Sequence, residues 1–323
     1  MIKEEFEVCY SFENTADFFN FFTPWSNEYS LDDYVFRGHS SDKYELVPLA
    51  LRKDKAHKLA EINSNSVSPS NVPRSIRQII VEKGLLRDFY KIANEHGLII
   101  PMTRDLSERL YMRSDLRAIY SFSTPDMSEN KKWPSNEILE LSALAQHYGL
   151  PTRLLDWTDD PFIAIYFALR SAMGKEGNLE IWCINRGVIT KGESAGMDLG
   201  VKFYTPHYAN NPNIRAQKGL FTYYPVDDKI TLDSHIEANK NVDDIDRRPL
   251  NLIMKETVYP PFHPSMFKRV TLPCHLAKEA FKTLSRLGYS SARVYPGYDG
   301  VVKEINDRRL IQRGGISNDS FIP

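Results

Sequence analysis

The alternation of apolar and polar positions divides the chain into short segments of both helical and strand period. Phe12, Phe18, Phe19, Phe21 and Phe22 crowd residues 11–22 ahead of Pro24 and predict a short helix. Residues 33–38 follow as a β-favouring run closed by glycine, which puts Arg37 at the carboxyl end of a strand. Residues 64–73 are rich in serine, asparagine and proline and read as an exposed connection. Beyond them Ile76, Ile79, Ile80, Leu86, Phe89, Tyr90 and Ala93 recur at helical spacing with Gly97 as the stop, and residues 106–120 read as a second helix. A helical insertion over residues 74–134 is therefore expected.

The next block is the most clearly punctuated. Ser135 stands where an N-cap belongs, Glu137 lies in the first turn, Ile138, Leu141 and Leu144 form an apolar stripe, and Gly149 with Pro151 ends the helix. Gln146 and His147 fall in its last turn. Residues 152–158 (TRLLDWT) read as a strand with Arg153, Leu155 and Trp157 on one face and Thr152, Leu154, Asp156 and Thr158 on the other. Asp160 and Pro161 then supply an N-cap and a first helical residue for the apolar run FIAIYFALRSAM, a helix expected to be buried.

Later, residues 179–184 and 269–272 predict central strands. An amphipathic helix comes next, with Leu276, Ala280, Phe281, Leu284 and Leu287 inward and Gly288 at its end, and residues 292–295 predict a last short strand. There is no regular strand-helix-strand rhythm, no GxGxxG and no GxxxxGK[ST], so the expected class is α+β with a mixed, largely antiparallel sheet. No internal repeat is visible, and one domain over residues 1–323 is expected.

Composition narrows the function classes. Lys and Arg number 41 against 42 Asp and Glu, so no global field steers the chain to nucleic acid or an anionic membrane. The longest apolar run, residues 161–173, is too short to span a bilayer and carries Arg170, and the start MIKEEFEVCY lacks signal-peptide order, so a cytoplasmic location is expected. Cys9, Cys183 and Cys274 are widely spaced and read as reduced core residues, without a disulfide framework or zinc site. Asp243, Asp244 and Asp246 lie in a polar segment that reads as a solvated loop, and no metal site is expected.

The candidate chemistry gathers in two places. Arg37 beside Gly38 offers a planar five-donor fork with room for a ligand to approach the backbone, which suits phosphate; a structural ion pair is the alternative. His147 titrates near neutrality, and its place at a helix C-terminus favours the charged form. Asp156, in an apolar run, requires a partner such as Arg37, Arg153, His147 or a set of backbone amides. Trp157 is either core or a stacking surface, and the hydroxyls of Thr152 and Thr158 can meet a ribose or cap the following turn.

FRGHSSDKYELVPLALR (36–52), LSALAQHYGLPTRLLDWTDDPFIAIYFAL (141–169), RAQKGLFT (215–222) and LGYSSARVYPGYDGVVKEI (287–305) resemble the FRG-domain family of bacterial and phage proteins. A further similarity is to ADP-ribosyltransferases of the arginine-serine-glutamate type. It implies that Arg37 holds the NAD phosphates or ribose and that Thr158 or Thr152 takes the hydroxyl place ahead of the helix. The third place falls near RAQKGLF, where this chain has Gln217 and no acid; Glu140, Glu180 and Asp299 are the other carboxylates considered for it. The resemblance thus implies a nucleotide pocket for NAD as substrate, with no resident cofactor, in an ADP-ribosyltransferase-like or NAD-cleaving toxin or antiviral-defence effector. Its target is a protein or nucleic acid. Arg37, His147, Thr158 and Gln217 are the expected catalytic set, with Gly38, Gln146, Thr152, Arg153, Asp156 and Trp157 binding or supporting. A non-catalytic nucleotide- or phage-sensing module, and a nuclease, are the alternatives.

Overall fold

The computed structural model describes residues 6–26, 30–54, 74–101, 132–209, 211–227, 245–258 and 266–313. In chain order the strands are β1 (Glu7–Ser11), β2 (Tyr34–His39), β3 (Lys132–Trp133), β4 (Leu155–Thr158), β5 (Asn178–Asn185), β6 (Lys202–Tyr204), β7 (Gly219–Tyr223), β8 (Val226–Asp227) and β9 (Phe267–Pro273). The helices are α1 (Thr15–Phe21), α2 (Arg74–Glu95), α3 (Leu139–His147), α4 (Pro161–Ala172), α5 (Arg186–Ser194), α6 (Pro212–Ala216), α7 (Leu250–Thr257), α8 (Ala277–Arg286), α9 (Ser291–Val294) and α10 (Tyr298–Arg313). Seven strands form one mixed sheet in the order β1-β9-β5-β2-β4-β7-β6, while β3 and β8 pair separately. Only β1 and β9 run parallel within that sheet, so the class is the expected α+β.

One irregularity positions everything that follows. β2 pairs with β5 along its whole length, from Tyr34 opposite Asn185 to His39 opposite Glu180, but meets β4 at a single register pair, Phe36 with Thr158. The sheet parts on its β4 side just past Phe36, where the carboxyl-terminal half of β2 has no ladder partner on that flank.

α4 covers one face of the sheet. Its start is fixed by Asp160, whose side chain accepts from the Phe162 amide, and by Pro161, whose missing amide proton costs nothing in a first turn. Its apolar side packs with α1, α8 and the inner side of β5, around Phe18, Tyr166, Ile181 and Phe281. Phe36 joins this cluster, its ring 6.2 Å from that of Phe22 just after α1. Gly38 lies under α4, where a Cβ would fall 1.9 Å from the Ala164 carbonyl oxygen; nothing larger than glycine allows the helix so close. The opposite face holds a second cluster built on Trp157, Trp182, Leu220, Met254 and Phe267. α3 is wedged between α2 and β7, with Leu141 and Ala145 toward α2 and Leu139 and Ala143 toward Leu154 and Phe221.

Several expectations are corrected. The strand expected over residues 152–158 is confined to 155–158, because the Thr152 hydroxyl accepts from its own chain at the Leu154 amide (3.1 Å) and its carbonyl is taken by Ala50, which holds the preceding residues as a loop. β2 runs on to His39, so Arg37 is inside the strand and not at its end. Ser135 makes no side-chain cap bond; a 3₁₀ turn over Asn136–Ile138 precedes α3. Residues 292–295 form no strand: Ser291 and Val294, three apart, are the buried pair, which is helical spacing, and α9 results. Leu287 lies beyond α8 and is exposed. The first helix spans Thr15–Phe21, capped by Asn14, and Ser11 belongs to β1. Cys9 is exposed on that edge strand, whereas Cys183 and Cys274 are buried; all three thiols are free.

Gly97 and Gly149 do terminate α2 and α3, each at positive φ. The connection over 64–73, the helix expected over 106–120, and Asp243 and Asp244 lie outside the described residues. Among the described residues no helix is long and apolar enough to cross a membrane.

Candidate functional site

A cleft of about 510 Å³ opens where β2 and β4 part. Arg37, Gly38, Gln146, His147, Asp156, Trp157, Thr158 and Gln217 all contribute to its walls, so residues far apart in the chain converge on one space. Thr152 and Arg153 do not.

Arg37 spans the gap in the sheet. Its Nη1 donates to the Asp156 carbonyl oxygen at 2.7 Å and approaches Asp156 Oδ2 at 3.3 Å, while Nε donates to His39 Nε2 at 3.1 Å. A side chain thus makes the cross-strand bond that the backbone ladder stops short of. From Asp156 the network continues: Gln146 Nε2 donates to Asp156 Oδ1 at 2.7 Å, and the Thr152 hydroxyl donates to Gln146 Oε1. Thr152 therefore orients Gln146 from behind the wall. Asp156 is 59% exposed at its side chain, so its apolar neighbours in sequence do not bury it; strand alternation sends Leu155 and Trp157 into the core and Asp156 into the cleft.

The histidines are held neutral. Burial, with Arg37 and Arg52 nearby, pushes His39 down to about 3. Because Nε2 accepts from Arg37, Nδ1 carries the proton, and it is buried beside the Tyr44 backbone without a well-formed hydrogen bond. Burial also lowers the pKa of His147, with Lys303 acting the same way and Asp156 opposing. The charged form expected from the end of α3 is therefore disfavoured: desolvation outweighs the helix terminus. Its Nε2 lies 3.0 Å from Asn213 Nδ2.

Thr158 and Gln217 join the far wall. The Thr158 hydroxyl donates to the Gln217 carbonyl oxygen at 2.7 Å and accepts from the Asp160 amide at 3.0 Å, while Gln217 Nε2 donates to the Val294 carbonyl at 3.3 Å. Trp157 is a core residue, its indole nitrogen donating to Thr222 at 2.8 Å. Arg153 is buried elsewhere, 2.7 Å from Glu82, which also accepts from Trp133 (2.6 Å) and Gln78 (3.0 Å). That cluster ties α2 to the loop ahead of β4.

The other carboxylates considered do not reach the cleft. Glu140 accepts from Tyr204 and from the His207 amide, Glu180 is buried between β2 and β9, and Asp299 lies in the first turn of α10. Asp156 is the one carboxylate in the described lining. Sequence reasoning missed His39, Tyr44 and Arg52 as wall residues, although all three stand inside the stretch 36–52 that carries the family resemblance. Among the described residues no three His, Cys, Asp or Glu side chains come together as metal ligands.

An α+β chain with an arginine-bearing cleft at a parting of its sheet is the class that fold and site define. Residues 32–176 match the family model of the FRG domain, so the chain carries an FRG domain over that stretch. The match takes in β2, α3, β4 and α4, hence Arg37, Gln146, His147, Asp156 and Thr158, and stops short of Gln217. Comparison with curated proteins and with solved structures returned no match in either case.

Proposed function

We propose that the cleft binds a nucleotide of the NAD type and acts on it in the manner of an ADP-ribosyltransferase or NAD glycohydrolase. The observation that carries this reading is the convergence of Arg37, His147, Asp156, Thr158 and Gln217 on one cleft whose volume lies in the range of small-molecule and cofactor sites. The order of elements supports it further. Arg37 on β2 and Thr158 on β4 leading into α4 sit on neighbouring strands, and Gln217 lies just ahead of the next strand, β7.

In the proposed reaction the glycosidic C–N bond breaks and its electron pair leaves with nicotinamide. Water or a nucleophile of the target forms the new bond to the ribose carbon and gives up its proton. In this reading Asp156 meets the positive charge that develops on the ribose. Incubation of the purified chain with NAD labelled in the nicotinamide or in the adenylate, with and without cell lysate, tests the reading; neither nicotinamide release nor label transfer at high protein concentration sinks the enzyme.

One observation favours a second reading, a non-catalytic sensor of the same ligand. Both Asp156 oxygens are engaged, by Gln146 and Arg37, and Gln217 brings no charge. Calorimetric NAD binding that Arg37→Ala abolishes, unaccompanied by turnover, selects the sensor.

A further inference from the structure

Arg52 enters the same cleft from a segment that neither the strand nor the helix pattern singles out. It follows a 3₁₀ turn, Leu49–Leu51, which is fastened on several sides. The Ala50 amide donates to the Thr152 carbonyl at 3.1 Å, Gln78 Nε2 donates to the Ala50 carbonyl at 2.9 Å, and Arg247 Nη1 donates to the Leu51 carbonyl at 2.9 Å. Arg52 itself donates from Nε to the Val47 carbonyl at 3.0 Å, which fixes the plane of its guanidinium. Its two terminal nitrogens make no hydrogen bond among the described residues, and neither does Nη2 of Arg37.

Two guanidinium groups therefore present unused donors to one space. The lining holds one carboxylate against them, already bonded, and two histidines that burial keeps neutral. Each arginine is anchored at Nε, so little side-chain freedom is lost when an anion arrives. Arrangements of this kind are unfavourable without a counter-charge and match an anion of more than one unit.

We infer that Arg52 is a second anion-binding residue of the cleft and that, with Arg37, it selects ligands carrying two linked phosphates over ligands carrying one. This deepens the nucleotide reading by naming what the site would recognise, a diphosphate bridge, and by assigning it to a residue outside the strand-helix motif. Tyr44 and Tyr295 also stand in the wall.

Calorimetry on the full chain with inorganic pyrophosphate, orthophosphate, ADP-ribose and NAD tests the inference. Wild type is expected to bind pyrophosphate more tightly than orthophosphate. Arg52→Ala should weaken pyrophosphate and ADP-ribose by about tenfold and orthophosphate by much less, the loss of one charge-assisted contact. Arg52→Lys, which keeps the charge and removes the fork, should fall between, and it serves where the alanine variant does not fold. Unchanged pyrophosphate and ADP-ribose affinity in both variants overturns the inference while NAD binding keeps the nucleotide reading. Arginine-dependent pyrophosphate binding with no NAD binding does the reverse, and no binding of any probe overturns both.

Discussion

Arg37 Nη1 donates to the main-chain carbonyl of Asp156 at 2.7 Å, across the point where β2 and β4 separate. The same guanidinium closes one side of a sheet gap and leaves Nη2 facing the cleft, so its structural and binding roles are not alternatives.

Arg37→Lys should therefore reduce both stability and binding. A lysine keeps the charge but cannot reach His39 and Asp156 together, and it leaves the buried His39 Nε2 without its donor. The expected loss is about 2 kcal/mol in urea denaturation, from an unpaired buried polar atom, with at least tenfold weaker pyrophosphate binding. Full retention of both in the lysine variant counts against this account of the site.

Gly38→Ala should be among the most damaging small substitutions in the chain. Its methyl would meet the Ala164 carbonyl oxygen at 1.9 Å and the Ala168 Cβ at 3.1 Å, so α4 must lift from β2. A loss of about 3 kcal/mol, the upper end of ordinary overpacking, is expected from thermal or urea unfolding. A stability within the error of wild type would show that α4 does not seat as described.

Glu180 and His39 lie directly opposite each other on β5 and β2 and should give opposing pH dependences. Burial raises Glu180 to about 7, and burial lowers His39 to about 3. The raised carboxyl contributes stability that is complete below its unfolded value, about 4.5, and is lost as pH rises through 7. The depressed imidazole contributes stability present above about 6.5 and lost as pH falls toward 3. Between those unfolded values the two slopes cancel. Glu180→Gln should uncover a rise in stability from pH 4.5 to 6.5 owed to His39, and His39→Asn a decline owed to Glu180, each on the order of 3 kcal/mol. Urea titrations across this range check it, and parallel pH profiles for wild type and both variants would contradict it.

Arg153 and Glu82 form a buried pair with no exit to solvent, at 7% and 3% side-chain exposure. Arg153→Ala takes the cationic partner from the buried Glu82, and a loss of about 3–5 kcal/mol is expected. In a double-mutant cycle with Glu82→Gln, most of that loss should disappear; additive losses would mean that the two residues do not interact.

Much of this was legible in the sequence where local chemistry decides the outcome. Asp160-Pro161 set the start of α4, Gly97 and Gly149 set two helix ends, and the apolar run of β5 set a central strand. Residue types and the family resemblance gather Arg37, His147, Asp156, Thr158 and Gln217 into one pocket, and all five line one cleft. What stayed hidden depends on distant partners. Nothing in the letters around Asp156 says that its flank of the sheet is open, so it read as a buried carboxylate. Arg153, one residue from Thr152, turns to Glu82 because α2 lies there. His147 loses its charge to burial by neighbours such as Asn213, more than 60 positions away. Arg52 carries no local signal because the turn ahead of it is fixed by hydrogen bonds with Thr152, Gln78 and Arg247, none of them near in sequence.

Phe36, Arg37 and Gly38 are adjacent, yet each is bound to a different neighbour: Phe36 to Phe22 after α1, Arg37 to Asp156 of β4, and Gly38 to the backbone of α4. A change at any one of them is therefore felt first in a different remote element. Three consecutive residues thus fasten one strand to the helix before it in the chain, the strand beside it and the helix above it.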